Sequence, residues 1–212
     1  MTQAAEARAG LAILIPAAGG STRMRGRDKL LEPVRGRALL ADRVAVASSA
    51  LASSATAPGP VVVTLPPRDA APERWAALEG GGAQLVEVAD AAQGLSASLA
   101  AGIAALPRDC TGVMILPADM PDITAADIAA VFAGFDGRRI LRGASASGRP
   151  GHPVLFPARD VAALAGVTGD RGGRDLLAAV NDRVTLVTLP GDHALTDLDT
   201  PEDWAAWRAR QT

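Results

Sequence analysis

The chain has little of several things, and each shortage excludes something. Cys110 is its one cysteine, so there is no disulfide framework and no thiolate metal centre. Cys110 stands just before an apolar run that begins at Val113, which fits an inert buried thiol. Aromatic residues make up 3% of the chain, against 49% hydrophobic overall with Ala prominent. The core must therefore be built from Val, Leu, Ile and Ala. The formal charge is nearly balanced, at -2, with a pI near 5.7. A general nucleic-acid binder would carry a basic face, so nucleic acid is not an expected partner. No apolar stretch approaches the roughly 18–20 residues that span a bilayer. The polar start, Met1 to Arg8, does not read as a signal peptide. These absences predict a cytoplasmic protein that uses neither membrane nor nucleic acid.

What remains is a chain of 212 residues, enough for one α/β domain with a sizeable core. Short apolar runs alternate with longer Ala-rich periodic segments. The runs predict strands at Leu11–Ile15, Val61–Leu65, Leu85–Val88, Val113–Leu116, Arg139–Arg142, Val154–Phe156 and Val184–Leu189. The periodic segments predict helices at Ala38–Ala52, Pro72–Glu79, Leu95–Leu106, Ala125–Phe135, Ala158–Ala165, Arg174–Val180 and Pro201–Arg210. Ser53–Pro60 and Pro66–Pro67 read as loops. Such alternation predicts a single-domain, mostly parallel, Rossmann-like sheet with helices on both faces. No linker divides the chain, so residues 1–212 read as one domain with its core at about 11–207. In such sheets ligands bind beyond the carboxyl ends of the strands, where strand order reverses. The residues that carry chemistry should then follow strands, and they do.

After the first strand come Ala17, Ala18, Gly19, Gly20 and Ser21, then Arg23 and Lys29. Tiny residues let a backbone approach a ligand closely. The free N–H groups of such a loop form an anion-binding concavity. With two cations beside it, the simplest ligand is a polyphosphate; the plainer alternative is a solvated glycine-rich turn. The loop is neither common phosphate motif. There is no Gly-Lys pair for a Walker A loop, and Gly19, Gly20 and Gly26 do not have dinucleotide-fingerprint spacing.

Asp119 follows the strand Val113–Leu116 and lies between Pro117 and Pro121, which stiffen its backbone. A carboxylate so held suits Mg²⁺ beside phosphate oxygens. Thr124 is better placed than Asp119 to cap the following helix. Near the carboxyl end, Thr200 and Asp203 form a capping box with Pro201 at the first helical position. That leaves Asp197 and Asp199 unexplained by capping. One of them, Asp199, is expected to join Asp119, and two carboxylates would meet the protein's share of a Mg²⁺ site.

Three further segments stay open on their residues alone. Gln93, Gly94, Ser96 and Ser98 open a helix, and could hold an anion or ribose hydroxyls or simply cap it. His152 lies in Gly148-Arg149-Pro150-Gly151-His152-Pro153, read as a rigid loop before a strand, with no nucleophile or base beside it. Asp170, Arg171 and Arg174 lie in a loop that leads into a helix, and its arginines suit a phosphate or a carboxylate. His193 reads as a surface residue.

Together these pieces resemble the MobA-like nucleotidyltransferase family, in a superfamily that also includes the sugar-nucleotide pyrophosphorylases. The likeness runs from Leu11 to about Trp207. It rests on Ala17-Ala18-Gly19 with Arg23-Met24 and Lys29, on Asp119 with Pro121, and on Asp199 before Thr200-Pro201-Glu202-Asp203. Gln93–Ser98, Arg149–Pro153, Gly169-Asp170 and Asp197–Asp203 are most similar to the molybdenum cofactor cytidylyltransferase branch. That branch usually reads Arg-Met-Gly, so Arg25 is an insertion that lengthens the loop reaching Lys29. Pro117-Ala118 also departs from the usual dipeptide before the metal Asp.

The resemblance implies transfer of CMP from CTP to the phosphate of molybdopterin, with Mg²⁺ on Asp119 and Asp199. It implies that Arg23 and Lys29 neutralise the triphosphate, and that Ala17–Ser21 with Gln93, Gly94, Ser96 and Ser98 hold the nucleotide. His152, Asp170 and Arg174 would face a phosphorylated pterin-type acceptor. A molybdoenzyme or its chaperone is an implied partner. The alternatives are another phosphorylated acceptor, GTP as in the guanylyltransferase branch, a NAD(P)H-dependent redox enzyme on the same scaffold, or a nucleotide-binding carrier without turnover. The intact Lys29, Asp119 and Asp199 argue against the redox alternative.

Overall fold

The computed structural model describes residues 10–54, 58–91, 94–166 and 172–211, with the side chains of 172–175 outside that description. Strand β1 (Leu11–Pro16) lies in the interior of a seven-stranded sheet. A small hairpin, β2 (Pro33–Val34) with β3 (Arg37–Ala38), leads into helix α1 (Leu39–Ala52). Then follow β4 (Pro58–Leu65), α2 (Pro72–Ala76), β5 (Gln84–Glu87), α3 (Leu95–Ala104), β6 (Gly112–Ile115) and α4 (Ala125–Ala133). The last third holds β7 (Ile140–Ala144), β8 (Pro150–Pro157), α5 (Ala158–Ala165), α6 (Gly172–Ala179), β9 (Val184–Thr188) and α7 (Pro201–Ala209).

The sheet order is β5-β4-β1-β6-β8-β7-β9. The chain first moves outward from β1 through β4 to β5, then returns to the other side of β1 with β6. The switch point therefore lies between β1 and β6, which pair in parallel from Leu11 opposite Gly112 to Leu14 opposite Ile115. β8 runs antiparallel to both β6 and β7, whereas the other pairings are parallel.

β1 is buried on both faces, so its side chains alternate between two cores rather than between core and solvent. Leu11, Ile13 and Ile15 join α1, α4 and α7 through Leu40, Val44, Ile128, Val131 and Trp204. Ala12 and Leu14 join α3, α5 and α6 through Leu99, Leu164 and Leu177. The scarce aromatics are concentrated in the first core, where Trp204 and Trp207 meet edge to face at 5.8 Å between ring centroids. Cys110 is buried, and burial pushes its thiol pKa up, as expected of an inert thiol.

All the expected strands and helices form, with ends moved by one to three residues at most positions. The capping boxes Thr124–Asp127 and Thr200–Asp203 are both present. The β2–β3 hairpin was not expected, since each of its strands has two residues. The larger correction is β8. It begins at Pro150, so Pro150–Pro153 is strand rather than a loop before one. Proline is unfavourable inside a sheet because it cannot donate to a ladder. Here β6 pairs with β8 only from Val154 onward, so the two prolines lie past the end of that neighbour.

The same overhang carries Gly151 against the segment before α7. His152 N–H donates to the Ala194 carbonyl at 2.9 Å. A Cβ on Gly151 would overlap that carbonyl oxygen. Gly151→Ala is therefore expected to destabilise the fold by about 1–3 kcal/mol through overpacking, read as a lower urea midpoint at unchanged slope.

Candidate functional site

A cavity of about 530 Å³ opens over the carboxyl ends of β1 and β6. Its wall includes Ala17, Gly19, Gly20, Lys29, Ser98 and Asp119, together with Arg142, His152 and Asp197. This is the switch point, as the strand-end rule requires.

The glycine-rich loop is built as an anion cradle. Ala17 N–H continues the β1 ladder by donating to Thr64 at 2.9 Å. After that the N–H groups of Ala18, Gly19 and Gly20 find no acceptor among the described residues. A Cβ on Gly19 would meet no protein atom within 4 Å, so the fold itself does not demand glycine there. Ser21 has another use: its hydroxyl donates to Asp28 at 2.9 Å and accepts the Lys29 N–H at 3.1 Å. It braces the loop from within.

Three charged residues from distant parts of the chain then meet. Lys29 Nζ donates to Asp119 Oδ2 at 2.5 Å and to Asp199 Oδ1 at 2.6 Å. Arg23, two-thirds exposed, reaches the other oxygen of Asp199 at 2.7 Å. Burial would lower the Lys29 pKa, but the two carboxylates more than offset it, so the ammonium titrates above its usual range. The register that joins Asp199 to Asp119 is a backbone bond, Leu198 N–H to the Asp119 carbonyl at 3.1 Å. Of Asp197 and Asp199 it is Asp197, not the expected Asp199, that borders the cavity, while Asp199 is joined to the site through Lys29 and Arg23. Burial raises the Asp197 pKa, and the neighbouring charges of Asp119 and Asp199 add to that rise.

Arg25 does not displace Lys29. It adopts the left-handed conformation at φ 54° and turns its guanidinium to Glu202 on α7 at 2.6 Å. The chain bends at this residue, and the lysine keeps its reach to both carboxylates.

Two buried arginines absent from the sequence reading hold the loops in place. Arg43 on α1, fully buried and paired with Asp42, donates to the carbonyls of Met120 at 2.8 Å and Ile123 at 2.5 Å. Arg35 donates to the Pro121 carbonyl at 3.0 Å. Arg74 on α2 donates to the carbonyls of Ala17 at 2.6 Å and Gly19 at 2.8 Å, and to both oxygens of Asp28. Neither Arg43 nor Arg74 lies in a motif. Their sole signal is a charged residue inside an otherwise core-forming helix.

His152 lines the cavity, and its Nδ1 is buried without a partner. Burial, with the Arg142 charge beside it, lowers its pKa to about 4, against a smaller opposing pull from Asp119. Arg142, another cavity residue missed in the sequence, donates to the Gly151 carbonyl at 2.9 Å. On the nucleotide side, Leu95 and Ser98 of α3 form the wall, while Gly94 and Ser96 stand at the start of that helix outside it. Gln93 and Asp170 lie outside the described residues, as does the side chain of Arg174. His193 is only partly exposed and meets Asp127 at 2.8 Å, where it braces the α4 cap rather than the surface.

A switch-point cavity floored by free backbone N–H groups and edged by a lysine between two carboxylates defines an α/β nucleotide-binding domain. Comparison with family profiles identifies it further. Residues 13–185 match the MobA-like NTP transferase domain, and the chain belongs to that family. Comparison with curated proteins finds no match. Among solved structures, it is similar to Rv0371c from Mycobacterium tuberculosis H37Rv, at 26% identity and TM-score 0.79 over 93% of this chain and 96% of that one. The complex of that protein with manganese aligns at 25% identity and TM-score 0.75, over 93% and 97% of the two chains. A nucleotidyl transferase from Methanothermobacter shares the fold at 23% identity and TM-score 0.74, over 94% and 96%. Among the described residues, no helix is long and apolar enough to cross a membrane.

The lowered His152 pKa has a definite sign in stability. The unfolded imidazole binds its proton near 6.5 and the folded one only near 4, so acid favours the unfolded chain across that interval. Stability is expected to be intact above that window and to fall as pH drops through it. His152→Gln should shrink the difference between urea midpoints measured at about pH 7 and about pH 5.

Proposed function

We propose that this protein is a Mg²⁺-dependent nucleotidyltransferase that moves CMP from CTP to the phosphate of a molybdopterin-type acceptor and releases pyrophosphate. The observation that carries the transfer chemistry is the meeting of Lys29, Asp119 and Asp199 beside the unpartnered N–H groups of Ala18–Gly20. The choice of CTP and of a pterin acceptor rests on the sequence likeness of Gln93–Ser98, Arg149–Pro153 and Asp197–Asp203.

The chain's own residues fit a divalent cation. One ammonium nitrogen already lies within hydrogen-bond reach of Asp119 Oδ2 and Asp199 Oδ1, so the two carboxylates converge on a single cationic point. No group of three or more metal-ligating residues gathers among the described residues, which suits Mg²⁺, a cation commonly held by one or two carboxylates plus phosphates. When bound there it supplies charge neutralisation on the phosphate oxygens.

An oxygen of the acceptor phosphate forms a bond to the α-phosphorus of CTP. The bond from that phosphorus to the β-phosphate oxygen breaks in line, and pyrophosphate leaves. The Ala17–Gly20 loop donates N–H groups to the phosphates. Lys29 and Arg23, both paired with carboxylates, stand beside the developing negative charge. No general base is needed, because a phosphate monoester is anionic near neutral pH. Positioning and charge stabilisation are sufficient for this class of reaction. On the opposite wall, neutral His152 and Arg142 would face the acceptor. A molybdoenzyme or its chaperone would receive the product.

The test is pyrophosphate release with Mg²⁺ and each of CTP, GTP, ATP and UTP, with and without a molybdopterin-type acceptor. Acceptor-dependent release with CTP supports the reading. Release with GTP keeps the chemistry and changes the base. Release with CTP only when a sugar or alcohol phosphate is supplied changes the acceptor. No release with any pair removes the proposal.

Asp119→Asn is expected to lower turnover by at least about a hundredfold with an unchanged circular dichroism spectrum. Gly19→Ala is expected to keep or raise stability, by about 0.4–1 kcal/mol, since its backbone is compatible with alanine. In steady-state assays the same variant should raise the nucleotide KM several-fold, because it adds a methyl to a residue that lines the cavity.

A further inference from the structure

We infer that Arg74 is the positioning residue of the polyphosphate cradle, a cation that never touches the ligand but orients the amides that do. The inference rests on the reading of the Ala17–Gly20 loop as a polyphosphate site. Arg74 is 4% exposed, so its guanidinium is screened from anything in the cavity. Its Nη1 takes the carbonyls of Ala17 and Gly19. Its Nε and Nη2 take both oxygens of Asp28, and Nη2 also reaches the Ser21 hydroxyl at 3.3 Å.

The consequence follows from the planarity of the peptide unit. A carbonyl and the N–H of the next residue point in opposite directions across one rigid plane. Drawing the Ala17 and Gly19 carbonyls back to one guanidinium turns the N–H groups of Ala18 and Gly20 the other way. Those are amides left without an acceptor among the described residues. A guanidinium presents its donors in a fixed planar fork, so a single side chain serves two carbonyls and a carboxylate together.

Arg74 is itself held from behind. Its neighbour Trp75 is buried in the core, donates to the Pro66 carbonyl at 3.0 Å, and lies under Arg68 at 4.6 Å. Asp28 answers the buried charge. Burial pushes its carboxyl pKa up, but the hydrogen bonds and charge of Arg74 outweigh that and hold it below the usual value of 3.8. Asp28 also caps the turn Lys29–Leu31, so one ion pair sets the cradle and the start of the segment that carries Lys29.

The experiment is calorimetric titration of inorganic pyrophosphate, a probe without a base, into wild type, Arg74→Lys and Asp28→Asn, each checked by circular dichroism and melting temperature. Lysine keeps the charge but cannot span the two carbonyls and the carboxylate. Arg74→Lys is expected to weaken pyrophosphate binding by about tenfold or more. In turnover assays the nucleotide KM should rise while kcat falls far less, a split that general loosening of the fold would not produce. If Arg74→Lys does not fold, Asp28→Asn decides, since it releases the same fork from its other end and should show the same loss. Undiminished pyrophosphate affinity in a folded variant overturns the role of Arg74 while leaving the polyphosphate site standing. Absence of pyrophosphate binding in wild type overturns the site and this inference with it.

Discussion

The contact on which the site depends is the ammonium of Lys29 between Asp119 and Asp199. The two carboxylates lie 90 and 170 residues from Lys29 in sequence. The three residues arrive on different elements: Lys29 on a turn beyond β1, Asp119 after the end of β6, and Asp199 on the approach to α7. Two carboxylates brought this close would repel each other without a cation between them. Lys29 removes that repulsion. In the proposed reaction the same ammonium would turn to phosphate once a divalent cation took its place.

A second principle runs through the loops around the cavity. The chain is poor in aromatics, and only a few loop positions are held by buried rings, Pro66 by Trp75 and Asp122 by Trp207. The loops that line the cavity are pinned mainly by arginines that grip backbone carbonyls. Arg43 and Arg35 hold the turn after Asp119, Arg74 holds the glycine-rich loop, and Arg142 holds the start of β8 through Gly151. Arg35, Arg43 and Arg74 each also pair with a carboxylate, Asp42 or Asp28, so one guanidinium ties a loop to a fixed charge. Such contacts fix loop shape more tightly than apolar packing, which is non-directional.

Much of this was legible in the sequence, and the reasons differ from place to place. The strands and helices were readable because apolar runs and 3.6-residue periodicity report burial directly. Asp119 and Asp199 were readable because each stood just past a strand or before a cap that did not need it. The start of β8 was not readable, because Pro150 and Pro153 argue against a strand unless one knows that β6 ends early. Asp197 was underrated because its neighbour Asp199 was the one expected at the site, and nothing in the sequence shows which of the two borders the cavity. Arg74 and Arg43 were invisible for a plainer reason. Their partners are mainly backbone carbonyls, which every residue has and no motif records.

The reversed direction of β8 gives the two halves of the cavity unequal freedom to change. Around β1 and β6 the wall is made of connections that leave strands, and a connection can gain a residue without disturbing a ladder. On the far side the wall is made by the beginning of a strand already committed to β7 and crowded against Ala194. Lengthening it would shift the pairing and turn His152 away from the cavity. Diversification of what this side accepts must therefore come by exchanging side chains at fixed positions, whereas the other side can also be remodelled by insertion and deletion.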